Sequence, residues 1–181
     1  MLSDFQKRKL TSWFNLCDLD KDGVLDARDY ERLIDNVARE RGFAKGSAEY
    51  EKIQAGYMRG WQQVERFADK ATPGKVGLAQ FLDSHDEMLS DRKLFDALIL
   101  GVAESIIKLS DQDGDGKLSE HEYTTNMGAY GLDAGHAKEA FHKLDRDADG
   151  FIGRDELLKD VEEFYYSNDP AARGNWLVGP F

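Results

Sequence analysis

Apolar residues recur three and four positions apart along most of this chain, and polar clusters interrupt them at intervals. Leu10, Trp13, Phe14 and Cys17 form one such stripe, the spacing of a helix that buries a single face. Ser3 followed by Gln6 makes a capping box at its start, so a first helix is predicted to run to Cys17. A second is predicted over 27–41, with Tyr30, Leu33, Ile34 and Val37 on one face and Gly42 as its stop. Ser47 caps a long third helix reaching Ala68. Gly56 and Gly60 lie inside it, one turn apart, and mark close approach of a neighbouring helix. A short helix follows over 78–88, and another starts at Ser90 and reaches Leu109. The last three are predicted over 119–130, 133–144 and 154–166.

The interruptions repeat. Asp-rich, Gly-containing clusters fall at 18–29, 111–122 and 145–156, with a weaker relative at 69–80, and helices flank each one. The pattern is an internal repeat of four helix-loop-helix units. The fold class is therefore all-α, with the units in two closely packed pairs. Residues 1–89 form the first pair and 90–166 the second, with only a residue or two between the fourth and fifth helices. Residues 167–181 begin polar and end with Trp176, Leu177, Val178 and Phe181. So apolar a tail is expected to pack back on the core.

Composition narrows the partners. With 41% hydrophobic residues and 20 aromatics (10 Phe, 7 Tyr, 3 Trp) in 181, the chain can build a sizeable core. Its net charge of -11 opposes nucleic acid and anionic lipid and suits cations. Cys17 is the one cysteine, so no internal disulfide forms, which fits a reducing compartment. The N-terminus has no apolar signal segment, and residue 2 is Leu, which excludes myristoylation of a chain starting here. The most apolar stretch, 94–109, carries Asp96, Glu104 and Lys108 and is too short to span a bilayer. These features predict a cytoplasmic monomer without membrane contact.

The chemistry lies in the loops. Calcium is a hard cation that takes six to eight oxygens at about 2.3–2.6 Å, and a twelve-residue EF-hand loop supplies them from positions 1, 3, 5, 7, 9 and 12, with Gly at 6 for the turn. In loop three (111–122), Asp111, Asp113 and Asp115 precede Gly116. Lys117 offers its carbonyl, Ser119 stands at position 9 and Glu122 closes as a bidentate ligand. In loop four (145–156), Asp145, Asp147 and Asp149 precede Gly150, Phe151 gives its carbonyl and Glu156 closes. Gly153 at position 9 has no side-chain oxygen, and a water is expected there.

In loop one (18–29), Asp18, Asp20 and Asp22 precede Gly23. Val24 gives its carbonyl, Asp26 takes position 9 and Asp29 closes. Asp29 is one methylene shorter than Glu, so bidentate reach is harder and magnesium should compete most here. Loop two (69–80) keeps Asp69 and Gly74, but Ala71, Pro73 and Gln80 stand at positions 3, 5 and 12, so it is expected to hold no ion. Position 8 is apolar in all four loops (Leu25, Val76, Leu118, Ile152), which predicts a short antiparallel β-ribbon within each pair.

One Asp/Gly-rich turn is usually only a turn. Three in step with helix flanks, each closed by an acid, would crowd like charges without a cation. Nothing else reads as catalytic. His85, His121, His136 and His142 lack transition-metal spacing, no nucleophile has a base partner, and Cys17 lies on an apolar face. No enzyme is expected.

The three Asp-x-Asp-x-Asp-Gly loops, the degenerate 69–80 and the short join near Ser90 resemble the sarcoplasmic-type calcium-binding proteins, calerythrin-like members included. The resemblance covers nearly the whole chain. It implies a compact globule of two EF-hand pairs and calcium and magnesium buffering. The loops also resemble those of coelenterazine-binding proteins and photoproteins, but neither the last helix nor the tail holds the His that photoprotein chemistry needs. The expected function is an intracellular buffer of three calcium ions. The alternatives are a sensor that opens a groove for a target protein, and a calcium-regulated carrier of a small apolar ligand. Met1, Met58, Met88 and Met127 do not cluster as a sensor groove would require.

Overall fold

Capping chemistry sets the helix starts. Ser3 accepts from the Gln6 amide while Gln6 reaches back to the Ser3 amide, opening α1 (Asp4–Cys17). The computed structural model describes the backbone of residues 1–181 and all side chains except those of 97–100, 102 and 103, so part of the apolar stretch 94–109 lies outside the described side chains. The remaining helices are α2 (Ala27–Glu40), α3 (Ala48–Glu65), α4 (Leu78–Ser90), α5 (Arg92–Ser110), α6 (Glu120–Ala129), α7 (Ala134–Leu144) and α8 (Arg154–Tyr166). No helix among the described residues is long and apolar enough to cross a membrane.

Three boundaries differ from the sequence expectation by more than one residue. α4 runs past 88 to Ser90. α3 stops at Glu65, because the amides of Phe67 and Ala68 tighten to bonds with Val64 and Glu65, three residues back. The cap of α5 is Asp91, not Ser90. Asp91 accepts from the Lys93 and Leu94 amides, while the Ser90 hydroxyl turns back to the Glu87 carbonyl at 2.7 Å.

The loops meet in pairs. β1 (Val24–Leu25) runs antiparallel to β2 (Val76–Gly77), and β3 (Leu118–Ser119) to β4 (Phe151–Ile152). Leu25 faces Val76 and Leu118 faces Ile152. All four are buried to 1% exposure or less, so each contributes about 1.5–3 kcal/mol of apolar burial just behind a loop. One cluster of buried side chains runs through both halves and includes Phe14, Phe81, Phe95, Phe141, Phe164 and Tyr165. A second joins α2 and α3 through Leu33, Ile34, Val37, Tyr50, Ile53 and Tyr57. Gly56 meets the end of α5, where an added Cβ would stand 2.3 Å from a Leu109 methyl. At Gly60 the nearest atom, on Tyr30, lies an ordinary 3.8 Å away.

Beyond α8 the chain makes a 3-10 turn, Arg173–Trp176, against α7 and α8. Lys9 of α1 is fully buried. Its ammonium donates to the carbonyls of Glu163 (3.1 Å) and Ser167 (2.8 Å) and to Asn175 Oδ1 (3.1 Å). It thereby adds a second donor to the Glu163 carbonyl, which also accepts from the Ser167 amide, and supplies one to the Ser167 carbonyl just past the end of α8. Val178 is buried, and Phe181 lies edge-on to Phe5 at 5.5 Å.

Candidate metal centres

Each helix ending in a loop delivers a carboxylate to the same place. Asp18, Asp111 and Asp145 follow α1, α5 and α7 directly. Their Oδ2 atoms accept from the amides of Gly23 (2.9 Å), Gly116 (2.9 Å) and Gly150 (3.0 Å). Those glycines, at position 6, have φ between 82° and 89°, a left-handed conformation that costs glycine nothing and turns the loop back over the first aspartate.

The last carboxylate enters from the other side. Glu122 Oε1 accepts from the Gln112 amide (2.6 Å) and Glu156 Oε1 from that of Arg146 (2.7 Å), while Asp29 Oδ1 accepts from that of Leu19 (3.0 Å). The second oxygen of each accepts from position 9, at Ser119, Gly153 and Asp26. These acids thus cap the exiting helix and tie the loop's two ends together.

Within this frame three groups of carboxylates converge. Asp111, Asp113 and Glu122 each place an oxygen within 4.8 Å of the others, and so do Asp145, Asp147 and Glu156. In loop one the group is Asp18, Asp20 and Asp22. Asp29 is not in it. Its shorter side chain is buried against the loop backbone, and burial raises its pKa above the usual carboxylate range despite the amide bonds. At Glu122 burial also pushes upward, but the bonds from Gln112 and Ser119 outweigh it and hold the carboxyl low.

The remaining expected ligands are placed as follows. Asp115 caps the amide of Lys117 at 2.8 Å. Asp149 pairs with the Lys117 ammonium at 2.8 Å, which holds its carboxyl low. Asp26 is gripped side-on by Arg28, 2.6 Å at the closest, and that hydrogen bond lowers its pKa. The Ser119 hydroxyl donates to Glu122 Oε2 at 2.8 Å. Val24 and Phe151 lie in the ribbons, opposite Gly77 and Ser119, and Lys117 precedes β3. Gln80 of loop two copies the capping role of the acids, accepting from the Gly77 amide at 2.8 Å, without a charge. Among the described residues no carboxylate group converges in loop two.

A hard divalent cation fits these groups. Asp20 Oδ1 and Asp145 Oδ1 are buried without any hydrogen-bond partner, a state that costs about 1–3 kcal/mol unless a cation takes it up. Every converging donor is a carboxylate oxygen, the set that suits calcium or magnesium over softer metals.

Several contributors are not apparent from loop spacing. Arg32 reaches Asp20 at 3.1 Å, and Arg28 reaches Asp22 at 3.4 Å. Arg146 is held by Asp160 and Glu163, Glu163 at 2.6 Å. Arg173 reaches loop four from the tail. Arg28 at position 11 was open to inspection, because it neighbours Asp26 within the loop. Arg173 has no local signal.

Comparison with known proteins agrees with the geometry. The EF hand family matches residues 10–34 and 137–164. Calerythrin of Saccharopolyspora erythraea is 24% identical over 166 residues, covering 91% of this chain and 92% of that protein. The sarcoplasmic calcium-binding protein of Hediste diversicolor is 27% identical over 133 residues, 72% of each chain. Among solved structures, the coelenterazine-binding protein from Renilla muelleri, in a calcium-loaded apo form, superposes with a TM-score of 0.80 at 22% identity. It covers 99% of this chain and 100% of that one. The chain thus carries two segments that match the EF hand family, and over most of its length it is similar to calerythrin and to a sarcoplasmic calcium-binding protein.

Proposed function

We propose that the protein is a calcium and magnesium buffer inside the cell that holds three ions, one each in loops one, three and four, and performs no catalysis. The partnerless buried oxygens of Asp20 and Asp145 carry the reading, because a surface turn has no need of them. The ligands are Asp18, Asp20, Asp22, the Val24 carbonyl, Asp26 and Asp29 in loop one. In loop three they are Asp111, Asp113, Asp115, the Lys117 carbonyl, Ser119 and Glu122. Loop four uses Asp145, Asp147, Asp149, the Phe151 carbonyl and Glu156. Loop two serves as the strand partner of loop one, so residues 1–89 act as one unit and 90–166 as the other. Buffering fits better than target recognition because the four methionines lie apart in sequence and the tail is fastened to α1 and α8 through Lys9 and Asn175.

Loop one is the least selective site. Asp29 is one methylene shorter than Glu122 or Glu156, so bidentate reach is harder, which leaves fewer oxygens and favours the six-coordination of magnesium. Calorimetric calcium titration in physiological magnesium should return three ions, with loop one the most weakened by magnesium. Two ions or fewer at saturation, or equal magnesium sensitivity at all loops, would defeat the corresponding part.

A second reading is a carrier of a small apolar ligand, favoured by the close superposition on the Renilla muelleri protein. One cleft among the described residues argues for the buffer. It is an open groove of about 600 Å³ between α2 and α3, lined by Arg28, Glu31, Arg32, Asp35, Lys45 and Glu51, a poor seat for an apolar molecule. A small molecule co-purifying with the folded chain would reverse that preference.

A further inference from the structure

The tail touches the fourth loop at its first two residues. Arg173 donates to the carbonyl oxygens of Asp145 (3.4 Å) and Arg146 (3.1 Å). Arg146 in turn is held by the carboxylates of Asp160 and Glu163 on α8, and the same Glu163 accepts from the Gly174 amide at 2.9 Å. The first turn of loop four, α8 and the tail thus close a ring of charge-assisted bonds.

Gly174 lets the ring close. An added Cβ there would stand 2.3 Å from the Asp160 carbonyl oxygen and 2.6 Å from Glu163 Cβ, so no other residue fits without moving the tail off α8. Lys9 fastens the next residue, through Asn175 Oδ1. The tail also reaches the exit of loop three, where the Tyr123 hydroxyl, one residue past Glu122, donates to the Leu177 carbonyl at 3.2 Å.

We propose that Arg173 is a positioning residue for the loop-four site, and that the docked tail holds the first turn of that loop in its ion-binding geometry. This rests on the assignment of loop four as a calcium site. The coupling is reciprocal by linkage: if a docked tail raises calcium affinity at loop four, calcium there tightens the docking by the same factor. The tail then acts as a latch on its own hand pair, closed most firmly when the pair is loaded. Arg173 needs no contact with the ion, because it works by fixing the carbonyls of Asp145 and Arg146, directly after the Asp145 side chain.

The test uses the full chain and calcium chloride as the probe. The amide resonances of Gly23, Gly116 and Gly150 report loops one, three and four separately. In Gly174→Ala, the calcium midpoint at Gly150 should rise by about fivefold or more, the lower end of ordinary coupling between sites, while that at Gly23 stays put. Arg173→Gln should shift Gly150 in the same direction, and Arg173→Lys, which keeps a charged donor, should recover part of the loss. In the wild-type chain calcium should slow tryptic cleavage after Arg173, read by mass spectrometry, and in Gly174→Ala that protection should vanish.

A Gly150 midpoint unchanged in Gly174→Ala, with the tail now cut freely, would overturn the proposal and leave the site assignment standing. A Gly150 resonance that ignores calcium in the wild-type chain would overturn the site assignment first and this proposal with it.

Discussion

His85 on α4 is 8% exposed and lies among the rings of Phe67, Phe81 and Tyr165, the last stacked at 5.9 Å. Its Nδ1 donates to the Phe81 carbonyl, 2.6 Å away, which fixes that nitrogen as the protonated one of a neutral ring. Burial lowers the imidazole pKa from 6.5 to about 4, against a smaller opposing pull from that carbonyl. The folded value is depressed. Above about pH 6.5 both states are neutral and the contribution is fully present. As pH falls toward 4 the unfolded chain takes up a proton that the folded chain refuses, and stability drains away. At the acid end the loss is about 3 kcal/mol. Acid also weakens calcium binding, so the informative quantity is a difference between chains. Denaturant melts of wild type and His85→Phe, run with chelator from pH 7.5 to 4.5, should diverge below 6.5, the variant showing the shallower decline. Parallel curves would mean that the imidazole is not held neutral.

At the scale of elements, the two-residue ribbons connect the loops to the core. Val76 belongs to a loop without converging carboxylates, yet it is fully buried and pairs with Leu25 of loop one. Val76→Ala removes two methyl groups behind loop one and should cost about 1–3 kcal/mol. If loop two exists to hold loop one in shape, the calcium midpoint read at Gly23 should rise as well, with Gly150 unmoved. A stability loss with an unchanged Gly23 midpoint would reduce loop two to simple core filling.

The helices, their caps at Ser3, Ser47 and Ser119, and the ribbon residues are legible in the sequence because each depends on spacing within a dozen residues. The convergence of Asp111, Asp113 and Glu122 is legible for the same reason. What spacing does not disclose is long-range. Lys9 reads as a surface lysine until α8 and the tail, more than 150 residues on, bring three oxygens to it. Asp160, fully buried on α8, likewise looks like a solvent-facing acid until Arg146 folds over it. The 3-10 turn has no periodicity to announce it, and the shift of the α5 cap to Asp91 is a contest between adjacent cap residues that differ little in preference.

The whole molecule carries a net charge of -11, and much of it is concentrated in three loops whose carboxylate oxygens stand within 4.8 Å of one another. Without a divalent ion these groups repel, so the ion-free chain pays for its fold in electrostatic strain. Three Ca²⁺ would bring the charge to -5. An ion that binds only the folded state stabilises it by about 2.7 kcal/mol when its free concentration is 100 times Kd, and three independent sites would give about 8 kcal/mol. For a chain of this size each kcal/mol moves Tm by roughly 2–4 °C, so calcium should raise Tm on the order of 15–30 °C. Salt separates the origin of that gain from mere ligand mass action. At 0.5 M KCl the Debye length falls below about 8 Å, and repulsion between exposed carboxylates is screened. The chelated protein should therefore melt several degrees higher in 0.5 M than in 0.02 M KCl, and the calcium-dependent gap should narrow. If the chelated Tm were flat across that range, loop repulsion would not be what loosens the ion-free form, and the calcium gain would have to come from ion–ligand bonding alone.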